Sequence, residues 1–229
     1  MNSLQEDVMM NDIQLQQAVL DELQWEPSVE ASHIGVTASN GVVTLTGHVQ
    51  SYAEKRAAED AARCVRGVGA IVQEIEVRIP AIDGNEDDEI AKRALSILRW
   101  SVVIPHERIT VMVEHGVVTL SGEVEWQYLK DRVETGIRQL SGVVGVINTI
   151  VIKPVVEPID ESEQLREKIK AALERQADVE ADKVGISIDG GKVTISGLVR
   201  SWSERLAIEN AAWSAPGVTQ VIDQMGLQI

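Results

Sequence analysis

The chain has 229 residues, a formal net charge of −15, five tryptophans and one cysteine. This acidic balance argues against broad nucleic-acid binding, which needs lysine and arginine to neutralise phosphates, and a single cysteine excludes an intramolecular disulfide. No apolar run reaches the roughly 18 residues of a membrane-spanning helix. The acidic start predicts no signal peptide, so we expect a cytoplasmic protein as the sequence stands, or a periplasmic one if a leader was removed.

Three copies of one seven-residue segment divide the chain. GVVTLTG begins at Gly41, GVVTLSG at Gly116 and GKVTISG at Gly191, so the copies are spaced by 75 residues. A fixed period of this kind is the signature of repeated structural units. We predict modules at 13–79, 88–152 and 163–229, an N-terminal tail at 1–12 and linkers at 80–87 and 153–162.

Each module begins with a predicted amphipathic helix. A residue suited to capping stands at its start, namely Asp12, Asp87 or Ser162. Apolar residues then recur every four positions, as from Leu15 to Leu23. Together they predict a capped helix with one buried face.

A β-hairpin follows the helix in each copy. Period-two alternation predicts two strands, and the dipeptides Asn40-Gly41, His115-Gly116 and Gly190-Gly191 predict two-residue turns with positive φ at both positions. This register places His33 opposite His48 on the outer face, either as an exposed strand pair or as a metal-binding or acid-sensitive pair. Gly47 marks either the close approach of a helix or a bulge.

A second helix and a last strand complete the module. Ser51 and Ser201 each precede a glutamate by three residues, which predicts a capping box, whereas the middle copy has Trp126 in place of the serine. Gly67, with its equivalents Gly142 and Gly217, is predicted to be a left-handed C-cap. The fold class is therefore α+β, with three tandem αββαβ modules, each a small three-stranded sheet with two helices on one face.

The sequence carries no motif of an enzyme. It has no GxSxG elbow, no Walker A loop, no HExxH and no paired CxxC. We therefore predict a protein that is not an enzyme and has no catalytic residues, metal ligands or cofactor.

The aromatic residues are unevenly distributed along the predicted elements. Six of the seven fall at helix ends that the topology brings to one end of a module, namely Trp25, Tyr52, Trp100, Trp126, Tyr128 and Trp202. Such residues suit a membrane interface or a protein interface. Alternatively, each covers the end of its own core or packs against the next module.

The middle module is the strongest candidate for a binding surface. It has eight acidic and seven basic residues between positions 88 and 152, and its first helix carries basic residues next to Trp100. Basic side chains attract anionic headgroups while indoles enter the interface. The predicted membrane-binding or partner-binding residues are Lys92, Arg93, Arg99, Trp100, Trp126, Tyr128 and Trp202.

Two segments of the middle module resemble a known family. ITVMVEHGVVTLSGEVEW at Ile109–Trp126 and LSGVVGVINTIVI at Leu140–Ile152 are similar to the BON domain, named for bacterial osmotically induced Y and nodulation proteins, and the resemblance extends over all three modules. It implies an αββαβ fold and a non-enzymatic role in envelope or osmotic-stress protection. It also implies association with phospholipid surfaces or, in a few members, with an ion or small ligand.

These observations lead to one expectation and two alternatives. We expect a stress-related accessory protein that binds an anionic phospholipid surface or a membrane-associated protein partner. The alternatives are a soluble protein that binds a small ligand or an ion such as potassium, and a chaperone-like homo-oligomer. The dependence of binding on salt separates lipid docking from specific ion binding.

Overall fold

The computed structural model describes residues 11–79, 87–154, 162–175 and 184–227. The predicted tail at 1–12 and the linkers at 80–87 and 153–162 lie mostly outside these ranges. Within them, each module has the predicted order αββαβ, so the fold class is confirmed.

The elements of the three modules correspond one to one. The first module contains α1 (Asp12–Trp25), β1 (Ile34–Ser39), β2 (Val42–Val49), α2 (Tyr52–Cys64) and β3 (Ala70–Val77). The second contains α3 (Asp87–Trp100), β4 (Ile109–Glu114), β5 (Val117–Val124), α4 (Gln127–Arg138), β6 (Gly145–Asn148) and β7 (Val151–Ile152). The third contains α5 (Ser162–Glu174), β8 (Val184–Asp189), β9 (Lys192–Val199), α6 (Trp202–Trp213) and β10 (Gln220–Leu227).

The repeated segment forms the central strand of each sheet. In the first module β2 pairs antiparallel with β1 and parallel with β3. In the third module β9 pairs antiparallel with β8 and parallel with β10. The last strand of the second module is interrupted, so β6 and β7 pair with successive parts of β5. Ile34 lies opposite Gly47, which confirms the predicted register, and the next pair along, His33 and His48, stacks with ring centroids 4.8 Å apart.

Both helices of a module cover one face of its sheet. The alternating apolar residues of the central strand, such as Leu45 and Leu120, are fully buried beneath them. The described residues form three hydrophobic cores, one in each module. The opposite sheet face carries the threonines of the repeat and is largely open to solvent.

The predicted role of Asp12 as a helix cap is wrong. Asn11 is the N-cap of α1, where its side chain accepts a hydrogen bond from the Gln14 backbone in a full capping box. The Asp12 carboxylate instead accepts from the backbone N–H of Asn40, with a separation of 2.7 Å. Asp87 likewise accepts from the backbone of the second hairpin turn. This repeated aspartate therefore ties the first helix to the hairpin.

The roles predicted for two glycines of the repeat, Gly67 and Gly47, also need correction. The second helix of the first module ends at Cys64, and Gly67 instead occupies a tight turn with φ of +93°, closed by a hydrogen bond from Val68 to Val65. Gly47 has φ of +112°, and a Cβ there would lie 2.0 Å from the carbonyl oxygen of His33. Its glycine is required by the neighbouring backbone rather than by a helix.

The second helices α2, α4 and α6 join the modules in a closed ring. Tyr52, at the start of α2, packs against the core of the second module. Trp213, at the end of α6, packs against the cores of both the second and the third modules. The Trp202 indole, at the start of α6, donates a 2.9 Å hydrogen bond to the carbonyl of Val68 in the first module. We call these contacts the first–second, second–third and third–first joints.

Candidate functional site

The end of α3 and the loop after it form a small exposed apolar patch on the second module. Trp100 has 86% of its surface exposed, Val102 100% and Val103 44%. Arg99 is exposed beside them. We call Arg99, Trp100, Val102 and Val103 the Trp100 tip.

Two buried residues force this tip outward. Leu98, in the last turn of α3, and Ile104, in the loop before the short turn His106–Arg108, both belong to the core of the second module. The five residues between them connect these two buried positions. Apolar side chains in such a short connection stay in solvent, and exposed apolar clusters of this kind mark interaction sites.

The basic residues predicted alongside the tip differ in their surroundings. Lys92 forms ion pairs with Asp88 and Glu89, at 3.1 and 2.8 Å, and these contacts raise the pKa of Lys92 and lower that of Asp88. Lys92 also lies about 12 Å from Trp100 along the helix axis. Within the described ranges, Arg99 has no ion-pair partner, whereas Arg93 is half-buried on the helix. Arg99 is therefore the basic residue closest to the exposed indole.

Trp126 and Tyr128 line a groove between the second and third modules, and no residue of the tip lines it. They stand at the start of α4, opposite Asn210 and Trp213 at the end of α6, and Asp131 completes the wall. The cavity has a volume of about 670 Å³. We call it the Trp126–Trp213 groove.

Trp202 lies in the third–first joint, where it contacts the first module. Besides its bond to Val68, its ring contacts the guanidinium groups of Arg63, 5.8 Å from the ring centroid, and Arg205, 4.8 Å from it. Cations over an indole face stabilise such a contact. The structure thus places Trp202 between modules.

The seven predicted residues therefore fall into separate groups. The structure brings Arg99 and Trp100 together, and Trp126 and Tyr128 together, while Trp202 stands elsewhere. The alternative that Trp25 and Trp100 cover their own cores is wrong, because each is 86% exposed.

Sequence reasoning missed Val102, Val103 and Trp213. The valines follow directly after the helix in the run SVVIP, which was a readable signal of an apolar loop. Trp213 ends α6 and so lies at the opposite end of its own module from the other aromatic residues. It reaches the groove because the modules meet head to tail, and a single sequence carries no signal for that arrangement.

A carboxyl pair distinguishes the third module. Glu209 and Asp223 share a hydrogen bond, and Asp223 also forms an ion pair with Arg205. Burial, together with the hydrogen bond and charge of Asp223, raises the pKa of Glu209 to about 7. At the equivalent place in the second module, Asn148 donates a 3.0 Å hydrogen bond to Glu134.

The described residues contain neither a membrane-spanning helix nor a cluster of metal-binding side chains. No helix among them is both long and apolar enough to cross a membrane. No group of three or more His, Cys, Asp or Glu side chains in this part of the chain is placed to hold a metal ion.

Three αββαβ units joined by their second helices define a tandem-repeat protein. The model of the BON domain matches residues 11–79, 86–154 and 161–228. The chain therefore belongs to the BON domain family and contains three such domains. Proteins of this family are generally not enzymes.

A curated relative supports this assignment. Osmotically-inducible protein Y of Escherichia coli (strain K12) is 29% identical over 130 residues, which are 55% of this chain and 65% of the relative. The match thus spans just under two thirds of the relative's length. The name of this relative connects that protein with osmotic induction.

Two solved structures also align with the chain. Both are of CdsD, a structural protein of the type III secretion system of Chlamydia trachomatis, and one is its C-terminal domain. Each is 14% identical with a TM-score of 0.26, covering 92% of this chain and 90% of that one, or 96% and 100% for the C-terminal domain. A TM-score of this size does not indicate a shared arrangement.

Proposed function

We propose that this protein is an osmotic-stress accessory protein that docks onto anionic phospholipid surfaces through the Trp100 tip. The observation that carries the proposal is the exposure of Trp100 and Val102 next to Arg99 on a short, anchored loop. The relation to Osmotically-inducible protein Y supports the stress-related part.

The tip combines the two forces that hold a protein to a lipid surface. Indole rings favour the interface between headgroups and acyl chains, and full burial of a valine side chain contributes roughly 1.5–3 kcal/mol. A basic residue close to an anionic surface adds about 1 kcal/mol. These contributions are offset in part by the entropy lost on docking.

The acidic character of the chain restricts docking to the tip. Charges farther away than about 10 Å are largely screened at 0.1 M salt, so the residues nearest to the surface dominate. Near the tip, Arg108 pairs with Glu125 at 3.6 Å, and Glu107 is exposed in the same loop. Arg99 therefore supplies the attraction, and the rest of the acidic surface opposes other orientations.

Co-sedimentation of the full chain with vesicles tests this function. We expect binding to vesicles of phosphatidylglycerol and phosphatidylethanolamine, and at least a tenfold loss of affinity in the double variant Trp100→Ser, Val102→Ser. The matched control is Trp25→Ser, because Trp25 is equally exposed at the equivalent position of the first module. Equal losses in both variants, or none in the double variant, would contradict docking through the tip.

The contribution of Arg99 is measured in the same assay. We expect Arg99→Gln to weaken binding about fivefold at 0.1 M salt, since one basic residue contributes about 1 kcal/mol. The difference between the variant and the parent should shrink as salt rises. No binding to any vesicle would instead favour a membrane-associated protein as the partner of the tip.

A further inference from the structure

Two joints of the ring enclose cavities of different size. The Trp126–Trp213 groove, at the second–third joint, has a volume of about 670 Å³. The cavity at the first–second joint has about 340 Å³, and neither aromatic nor acidic side chains line it. Small-molecule sites typically occupy about 300–1,000 Å³, so the groove has the size of a ligand site.

One residue of the repeat explains why this joint is open. Tyr52, Gln127 and Trp202 occupy equivalent positions at the start of the second helices. The two rings insert into their joints, against the core of the second module and against Val68. Gln127 cannot fill the same space, and its amide donates a 2.8 Å hydrogen bond to Asp131 instead.

Aromatic rings form much of the groove wall. Trp126 and Tyr128 remain 36% and 57% exposed, and Trp213 closes the opposite side from the third module. The faces of these rings carry partial negative charge and attract organic cations, most strongly when the cation is easily desolvated.

Asp131 adds a full negative charge to this wall. Its side chain is exposed to solvent, but partial desolvation raises its pKa, against the hydrogen bond from Gln127. The charge of Glu134 raises it further, while Lys130 and Arg138 act in the opposite direction. A cation in the groove would offset the cost of keeping this carboxylate ionised.

We propose that the Trp126–Trp213 groove binds a small, soluble organic cation with a methylated ammonium group, its methyl groups against the rings and its charge towards Asp131. Hard metal ions prefer six or more oxygen ligands, whereas this wall has three aromatic rings and one carboxylate beside the neutral side chains of Gln127, Asn210 and Ser214. This site uses residues distinct from the Trp100 tip, so the proposal goes beyond lipid docking and stands independently of it.

Isothermal titration calorimetry of the full chain with choline tests the proposal. The matched ligand is 3,3-dimethylbutan-1-ol, which replaces the ammonium nitrogen by carbon and has the same shape without charge. We expect choline to bind at least tenfold more tightly than this alcohol, and potassium chloride at equal ionic strength to give no signal. Equal affinity for the two compounds would overturn the proposal, as would potassium binding that displaces choline.

Variants locate the site within the chain. Asp131→Asn, which keeps the shape of the side chain, should weaken choline binding at least tenfold, and Trp126→Leu should weaken it severalfold. Glu107→Gln removes one exposed carboxylate outside the groove and serves as the charge-matched control. Unchanged choline affinity in Asp131→Asn would place the binding elsewhere and refute the assignment.

Vesicle experiments separate a free cation from a lipid headgroup. Trp100→Ser should retain choline binding, and Asp131→Asn should retain binding to anionic vesicles. If the parent protein binds phosphatidylcholine vesicles and choline releases it, the groove holds a lipid headgroup and the assignment to a soluble cation is wrong.

Discussion

Trp25 and Trp100 occupy the same position in two copies of one fold, and each is 86% exposed, but their surroundings differ. Glu26 follows Trp25, and its carboxylate accepts hydrogen bonds from the Ser28 backbone and hydroxyl, which lower the pKa of Glu26. Trp100 is flanked instead by Arg99 and followed by exposed valines. The fold exposes both indoles, and under the proposed lipid docking we expect the flanking residues to set whether an anionic surface attracts or repels them.

Unfolding of the second module, which carries the Trp100 tip, should cause the largest loss of stability and of vesicle binding. Leu120 is fully buried in the central strand of the second module, so Leu120→Asp places a charge in its core and should cost about 4 kcal/mol or more, enough to unfold that module. Loss of circular dichroism and of vesicle binding would show this. Met112→Asp lies on the exposed sheet face of the same hairpin and should be tolerated.

Exchange of the flanking residues is the sharpest test of the comparison. In a protein that lacks the Trp100 tip, the substitutions Gln24→Arg, Glu26→Ser, Pro27→Val and Ser28→Val rebuild it around Trp25. We expect vesicle affinity to recover at least tenfold, because the indole is already exposed there. No recovery in a folded variant would mean that the second module contributes something besides these residues.

A smaller effect, on the pH dependence of stability, is expected from one pair of equivalent positions. Glu209 faces Asp223 in the third module, whereas Glu134 faces the neutral Asn148 in the second. Because the folded-state pKa of Glu209, about 7, lies above its ordinary value of 4.5, the folded protein binds more protons between these values. The stabilising contribution of Glu209 should therefore be fully present below about pH 4.5 and be lost as pH rises through 7. After allowance for solvent screening, we expect on the order of 1 kcal/mol.

Melting curves of Glu209→Gln should lack this decline, since the amide carries no proton to lose. Glu134→Gln is the matched variant in the second module. There, burial acts to raise the pKa of Glu134, but hydrogen bonds from Arg138 and Asn148 lower it below the ordinary value. Its stabilising effect should be lost as pH falls, which is the opposite sign. Identical pH profiles for the two variants would contradict both assignments.

Most of the fold was predictable because the same turn dipeptides and apolar patterns occur in all three copies of the repeat. Turn dipeptides and alternating apolar residues set the hairpin register that pairs Ile34 with Gly47. Helix ends were less predictable, since Gly67 marks a turn after the helix rather than its cap. Local sequence fixes the conformation of glycine more firmly than the last residue of a helix.

The candidate site was predictable only in part. Arg99 and Trp100 are neighbours in sequence on an exposed helix end, so their proximity required no tertiary information. The separation of Trp126 and Trp202 into different joints depends on how the modules pack, and that packing involves residues up to 134 positions apart. The periodicity of residues within one module gives no information about how the modules pack together.

The ring of second helices makes the chain close on itself in space. Each module contacts both others, so a joint that opens by thermal fluctuation remains bridged by the remaining two. Its halves then stay at an effective concentration on the order of millimolar, which favours rapid re-formation. The three domains should consequently rotate and diffuse as one body, and a surface that captures Trp100 orients the whole molecule.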